Sequence, residues 1–332
     1  MEDRLSKSFA RTVTNSSLAN RLMSLLEQLR PASPHHFQAL TYHRVLDGDA
    51  FAAQMAFLVD HYRVIGMDTL LAATEGRHSL PPHALLITFD DAYQDFAEVA
   101  WPILQWHGLP VTLFVPSGFA QEKAPAFWWD VVEHAFLHTE RLEPLETSAG
   151  RLSLESEAQR RQALRRVKRY LWSVPPARAP HEARRLTADL SVAPPESRAL
   201  GWGELRRLAA EGVTIGAHTR NHPNLARLNR EAAREEIAGS WHDLCTHMGS
   251  VAPVFAYPGG HYRHETVELV AEAGFKLAFT TQRGANDIRE KQSYLELRRI
   301  NVSAQATVPE LRMRLLQAAP LFNRFHGSLK GG

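Results

Sequence analysis

Two adjacent carboxylates, Asp90 and Asp91, end the apolar run Leu85-Leu86-Ile87-Thr88-Phe89, and His218 and His222 follow the apolar run Val213-Thr214-Ile215-Gly216-Ala217. Imidazoles four residues apart within one turn can reach the same ion, and neutral imidazole is a good ligand for zinc and similar divalent metals. If Asp91 comes from a neighbouring strand end, two histidines and one carboxylate make a catalytic metal site with positions open for water and substrate. Each half has an ordinary alternative. Asp91 could simply cap a helix running to about Trp106, and a histidine pair in a chain with 17 histidines carries little weight alone.

The elements that must position these groups are legible. The run from Leu85 is bounded upstream by Pro81-Pro82 and reads as a strand buried on both faces. Strand residues alternate sides, so Asp90 and Asp91 reach one site only if the chain turns there. A strand is expected over Phe37 to Val45, a helix over Phe51 to His61, and a short strand then a helix start over Tyr62 to Leu71. Further strands are expected at Val111 to Val115, Val213 to Ala217, Val254 to Tyr257, Lys276 to Thr280 and Leu295 to Val302. Helices are expected at Ser16 to Arg30, Arg230 to Met248, Glu265 to Ala273 and Val308 to Leu316. Alternating strands and helices with short connections predict an α/β fold with a parallel sheet, open or closed into a barrel, whose active site lies at the strands' carboxyl ends. Between about 121 and 200 the strand signal disappears, and a helical insertion is expected. The expected organisation is a helical extension over 1–36, a barrel over 37–316 carrying the insertion, and a tail over 317–332.

Composition narrows the class. The 332 residues are 44% hydrophobic, enough for a large core plus an insertion. A net charge of +2 gives no global reason to expect nucleic acid as a partner. The single cysteine, Cys245, allows neither an intramolecular disulfide nor a cysteine zinc site. The first 29 residues lack the apolar core of a secretory signal, so a cytoplasmic protein is expected. Between Arg160 and Arg185 nine basic residues meet one acidic residue, Glu182, while Leu164, Val167 and Leu171 keep helical spacing. A docked helix with a solvated basic face is the plainer reading, and peripheral contact with an anionic membrane at its inner face is the alternative.

Thr88-Phe89-Asp90-Asp91 followed by His218-Thr219-x-x-His222-Pro223 resembles the first two motifs of the polysaccharide deacetylases, the NodB-homology domains of carbohydrate esterase family 4. The resemblance covers about Leu40 to Val302 without the insertion and implies a distorted (β/α) barrel of fewer than eight regular strands. It also implies roles. Asp90 would be the general base, and Asp91, His218 and His222 would hold a divalent metal, zinc first, with cobalt or nickel as alternatives. Phe255-Ala256-Tyr257-Pro258-Gly259-Gly260 would be the third motif, with Tyr257, Pro258 and Gly259 facing the substrate and the Gly259 N–H stabilising the oxyanion. Three positions depart from the pattern: Ala92 stands for glycine, Ala256 for the arginine that orients the base, and Gly259 for tyrosine or phenylalanine. Leu40-Thr41-Tyr42-His43 is similar to the acid motif of the circularly permuted subgroup that deacetylates poly-N-acetylglucosamine, which implies His43 as general acid. Arg299 is the expected replacement for the missing arginine, with Arg298 second, since alternation lets only one face inward.

The expected function is metal-dependent removal of N-acetyl groups from an N-acetylated polysaccharide or its lipid-linked precursor. The alternatives are an O-acetyl esterase, an amidase acting on a small molecule, or a carbohydrate-binding relative without catalysis. The last is motivated by Ala256 and Gly259 and opposed by an intact Asp90.

Overall fold

The computed structural model describes residues 33–317 apart from 122–123 and 250. The expected helix Ser16 to Arg30 and the tail 318–332 lie outside the described residues.

In chain order, β1 (His36–Tyr42) is followed by α1 (Gly48–His61), β2 (Arg63–Val64) and α2 (Met67–Thr74), then by β3 (Ala84–Asp90), α3 (Trp101–Trp106) and β4 (Thr112–Val115). The insertion contributes α4 (Trp128–His138), β5 (Leu145–Thr147), β6 (Gly150–Leu152), α5 (Glu157–Ser173) and α6 (Ala179–Asp189). The chain returns through α7 (Trp202–Ala210), β7 (Thr214–Ala217), α8 (Arg230–Met248), β8 (Val254–Ala256), α9 (His264–Glu272), β9 (Leu277–Phe279), β10 (Asn286–Asp287), β11 (Ile300–Asn301) and α10 (Val308–Gln317).

The strands β1, β3, β4, β7, β8 and β9 lie side by side and parallel, and β11 pairs parallel with the far edge of β1. The segment before β11 closes the curl. Leu297 bridges Phe279 at the end of β9, and two residues after Arg298 the chain pairs with Leu40 and Thr41. This change of partner breaks the strand expected over Leu295 to Val302, which keeps only Ile300–Asn301 as regular ladder. The result is the distorted parallel barrel with outer helices that the sequence implied.

Alternation sorts the strand residues into two layers. Phe37, Ala39, Ala84, Leu86, Phe114, Val254, Leu277, Phe279 and Leu297 share the inner cluster, whereas Leu40, Tyr42, Leu85, Ile87, Phe89, Leu113 and Val115 pack outward against the helices. Because both faces are covered, the strand ALLITFD is buried along its whole length. Continuing the inner phase puts His43, Asp90, His218 and Arg299 on the inner side at the carboxyl rim, and it turns Arg298 out. Gly216 follows the same geometry: a Cβ there would meet Phe114 at 2.7 Å and Val254 at 2.9 Å, so β7 packs this closely only with glycine.

Two expectations change. The insertion is not purely helical, because β5 and β6 form an antiparallel hairpin with Leu145 opposite Leu152. Strands of three residues are too short to show a period of two. The helix expected directly after Asp91 starts late, with a π-helical turn at Phe96–Ala100 before α3. The insertion also has its own apolar cluster, in which Val132, Ala135 and Phe136 of α4 meet Val167 and Leu171 of α5 and Ala183 of α6.

Candidate active site

Asp90 ends β3 in phase with Leu86 and Thr88, so its carboxylate points inward. Asp91 would point outward if the strand continued. Instead φ is +72° at Asp91 and +51° at Ala92, a left-handed turn that brings the second carboxylate to the same rim. The helical stretch starts at Gln94 and Asp91 Oδ1 accepts no backbone N–H, so Asp91 does not cap it. Ala92 occupies a conformation that favours glycine, and an alanine there costs on the order of 1–2 kcal/mol. Thr219 and His222 are also left-handed, at +64° and +51°. Strained backbone of this kind persists where the surroundings hold it, as in functional loops.

Arg299, expected as the replacement arginine, does meet Asp90. Its guanidinium reaches both oxygens of Asp90, Nη1 to Oδ1 and Nη2 to Oδ2, each at 2.7 Å. Its remaining donors go to Thr280 O at 3.0 Å and Thr88 Oγ1 at 3.2 Å. A fully buried guanidinium with its donors satisfied and a bidentate carboxylate is a stable way to hold an ion pair away from water. Arg298 takes no part, since its backbone N–H and C=O bond to the Asn286 side chain. Burial alone would raise the Asp90 carboxyl, but Arg299 and then His218 hold it below the ordinary carboxylate range. Asp90 is therefore ionised at neutral pH.

His43, one residue beyond β1, places Nε2 4.0 Å from Asp90 Oδ2 and keeps 39% of its side chain exposed. The following loop is pinned by Asp95, which accepts from Arg44 and from the Val45 N–H at 3.2 Å. His43 thus borders both the buried Asp90 carboxylate and the open pocket.

The ligand atoms of Asp91, His218 and His222 lie within 4.8 Å of one another. Asp91 Oδ1 stands 3.6 Å from His218 Nε2 and 3.2 Å from His222 Nε2, without an aligned hydrogen bond from either. Such spacings suit three donors sharing one four-coordinate ion with bonds of about 2.0–2.1 Å. The protonation states agree with this. Burial, partly offset by Asp90, pushes His218 down to about 4, so the ring is neutral, and its Nδ1 lies 2.7 Å from Ala256 O. That contact puts the proton on Nδ1 and leaves the Nε2 lone pair facing Asp91. Asp91 is held well below the ordinary range, since His222, His43 and His218 outweigh its burial. A buried carboxylate oxygen with no aligned donor, facing the His218 lone pair and a ring nitrogen of His222, fits a divalent cation.

The loop carrying both histidines is stapled to α8. Glu236 accepts from the N–H groups of Arg220 and Asn221 at 3.0 and 2.8 Å, and Asp243 grips Arg220 at 2.7 Å while accepting from Ser117 at 2.8 Å. Within the loop, Thr219 Oγ1 accepts the His222 N–H at 3.0 Å. Sequence reasoning passed over Glu236 and Asp243. Their separation of seven residues on one helix, two turns, was the available signal.

The third motif behaves differently from expectation at Tyr257. Its ring follows the outward phase of Phe255, stacks on Tyr262 at 4.5 Å and donates to Leu295 O at 2.9 Å, so only its backbone belongs to the site. Pro258 is buried on the inner side, and Gly259 and Gly260 take φ of +59° and +70°. A Cβ on Gly259 would meet His261 at 3.0 Å and Trp172 at 3.6 Å. The insertion's Trp172 thus lies beside the position where the family pattern has an aromatic residue.

Trp172 belongs to an aromatic wall that the sequence reading did not identify. Trp129 lies 4.6 Å from the His222 ring and nearly parallel to Trp172, at 13° and 6.3 Å. Its Nε1–H donates to Tyr93 OH at 2.8 Å, which donates to Asp130 at 2.9 Å. Burial pushes Asp130 up to about 6. The pair Trp128-Trp129 was visible in sequence, but its place over the histidines depends on the fold of the insertion. A pocket of about 460 Å³ opens here, lined among others by His43, Asp91, Tyr93, Trp129 and Asp130.

Residues 77–278 match the family described as polysaccharide deacetylase. A putative polysaccharide deacetylase of Bacillus subtilis, YxkH, is 27% identical over 100 residues, which is 30% of this chain and 35% of that protein. The chain thus matches about a third of that relative's length. Among solved structures, the Streptococcus pyogenes deacetylase PplD in complex with acetate superposes with a TM-score of 0.57 at 20% identity, covering 86% of this chain and 99% of that one. IcaB from Ammonifex degensii gives 0.55 at 19% identity, covering 86% and 97%. Both likenesses bear on the fold.

Proposed function

The chain belongs to the polysaccharide deacetylase family, and from that premise we propose that it hydrolyses N-acetyl groups on an N-acetylated saccharide with the help of a divalent metal. The observation that carries this reading is Asp90, gripped by Arg299 and placed between the Asp91–His218–His222 cluster and His43 at the edge of a saccharide-sized pocket.

Asp91, His218 and His222 would hold the metal, zinc being the first choice for two nitrogens and one carboxylate. A bound divalent ion supplies an activated water at neutral pH and polarises the acetamide carbonyl. The chain's own groups do the rest. Asp90, ionised and fixed in orientation, removes the proton of the attacking water. Arg299 keeps that carboxylate from rotating and from protonating. The amides of Gly260 and His261 are engaged with Tyr257 O and Pro258 O at 2.9 and 3.1 Å, and the Gly259 N–H is the one we assign to the oxyanion. His43 then protonates the departing nitrogen, giving acetate and a free amino sugar.

The reading without catalysis rested on Ala256 and Gly259. Arg299 meets Asp90 and Trp172 lies beside Gly259, which favours an active enzyme. Acetate release from an N-acetylated glucosamine oligosaccharide, measured together with metal content, tests the proposal. Release of acetate only from O-acetyl esters would replace it with the esterase reading.

The proposed setting is the inner face of an anionic membrane. Arg165, Arg166 and Arg169 are exposed on α5, whereas Arg161 pairs with Glu157, Lys168 pairs with Glu133 and Arg160 donates to Leu154 O. Three guanidinium groups on one helical face support reversible attachment, each contributing about 1 kcal/mol near such a leaflet. No helix among the described residues is long and apolar enough to cross a membrane.

A further inference from the structure

Two clefts diverge from the metal-ligand cluster. The first, of about 460 Å³, includes Asp91 in its lining and carries more charged side chains than the second, Asp130, Glu196 and Arg198 among them, with His43 at one wall. The second, of about 600 Å³, includes His222 and runs between the insertion and the loop 221–224. Trp129 faces the first and Trp172 the second, so the two nearly parallel indoles form the partition.

The second cleft is apolar in substance. Its walls are built from residues such as Phe119, Val131, Leu171 and Val174, with prolines from both ends of the insertion, including Pro176 and Pro194. Polar side chains are present: Glu235 is exposed, and the others are largely engaged elsewhere. Asn221 Nδ2 donates to Glu236 at 2.8 Å, Glu236 also accepts two backbone N–H groups, and Asn224 bonds both Trp172 O at 3.3 Å and the Ala226 N–H at 3.1 Å. A second saccharide arm needs donors and acceptors along its length, and it would find most of them already used. An apolar chain needs only surface to cover. Among the described residues lining the cleft, Arg184 is exposed on its rim, where it complements the phosphate that joins sugar to lipid in a lipid-linked saccharide.

We propose that this cleft holds the hydrocarbon chain of a lipid-linked N-acetylated saccharide while the sugar lies in the first cleft beside Asp90 and His43. The proposal rests on the deacetylase reading of the same site. The substrate is amphipathic, and the division between its halves falls at the Trp129–Trp172 partition.

The test uses the full chain, metal-loaded, with an N-acetylglucosamine tetrasaccharide and the same tetrasaccharide carrying a decyl aglycone, below its micelle concentration. Binding is measured by calorimetry on Asp90→Asn protein, and acetate release on the unsubstituted protein. The alkyl glycoside should bind about tenfold or more tightly, the equivalent of roughly two buried methylenes. Ala177→Trp and Ala232→Trp each fill the cleft from partly or fully exposed positions on opposite walls. Each should erase that difference while leaving acetate release from the plain tetrasaccharide within about twofold, since neither residue touches the reacting groups. Equal binding of the two ligands, or a preference that survives both tryptophans, would overturn the proposal, as would tighter binding of a longer plain saccharide that either tryptophan abolishes. A binding preference that behaves as expected, with no acetate released from either ligand, would refute the deacetylase reading and leave the cleft assignment standing.

Discussion

Arg299 and Asp90 lie 209 residues apart in sequence and meet in a bidentate ion pair, both contacts 2.7 Å, with neither side chain more than 3% exposed. The pair links the last segment of the barrel to its central strand. It also settles which of two adjacent arginines faces inward.

Arg299→Met should therefore damage both stability and catalysis. Leaving the Asp90 charge buried without its partner costs roughly 3–5 kcal/mol. Acetate release should fall by about a hundredfold or more, because the base loses its orientation. Arg299→Lys keeps the charge but not the fork, so it should be less destabilised yet still slow. Urea unfolding alongside steady-state kinetics checks this, and full activity in the lysine variant would show that orientation by the fork is unimportant.

His218→Ala and His222→Ala should each lose tight metal binding, while Asp90→Asn retains metal and loses about a thousandfold in rate. The base can be neutralised without emptying the coordination set, whereas one of three protein ligands cannot be spared. Metal analysis of the dialysed proteins decides it. A normal metal content in His218→Ala would refute the ligand assignment.

His43→Ala should slow amide substrates far more than activated acetate esters, because a good leaving group departs without a proton. Comparable losses on both substrates would make His43 a structural residue of the pocket rim.

Asp130 gives a pH dependence whose sign can be worked out. Its carboxyl is raised from 3.8 to about 6, first by burial, so the native state holds a proton that the unfolded chain has already released. Stability should then decline as pH rises through that window, and the decline should be complete somewhat above 6. Asp130→Asn keeps an acceptor for Tyr93 and should flatten this part of the Tm-against-pH curve. An unchanged slope in the variant would remove Asp130 as its source.

The basic face of α5 should bring the protein to vesicles containing anionic lipid at low salt and release it at high salt. The double variant Arg165→Glu, Arg169→Glu should fail to float with such vesicles while releasing acetate from a soluble saccharide normally. Binding that ignores salt would point to an apolar contact instead.

The sequence by itself determined the strand runs and what ends them. Apolar stretches such as Leu85 to Phe89 and Val213 to Ala217 are local signals, and the residues at their carboxyl ends, Asp90, Asp91, His218 and His222, are read directly from position. Alternation limited the inward-facing arginine to one of Arg298 and Arg299, and the contact with Asp90 decided for Arg299. Three things depended on tertiary structure. The left-handed turn at Asp91 and Ala92 is held by long-range packing against the preference of both residues, so a capping aspartate read equally well in sequence. Tyr257 faces outward although its motif pointed to the pocket, since the phase of β8 within the barrel decides the side. The wall made by Trp129 and Trp172 comes from helices whose own core, around Phe136 and Leu171, holds both indoles beside His222. Local periodicity reports which face of an element is apolar, and it carries no information about which distant surface that face will meet.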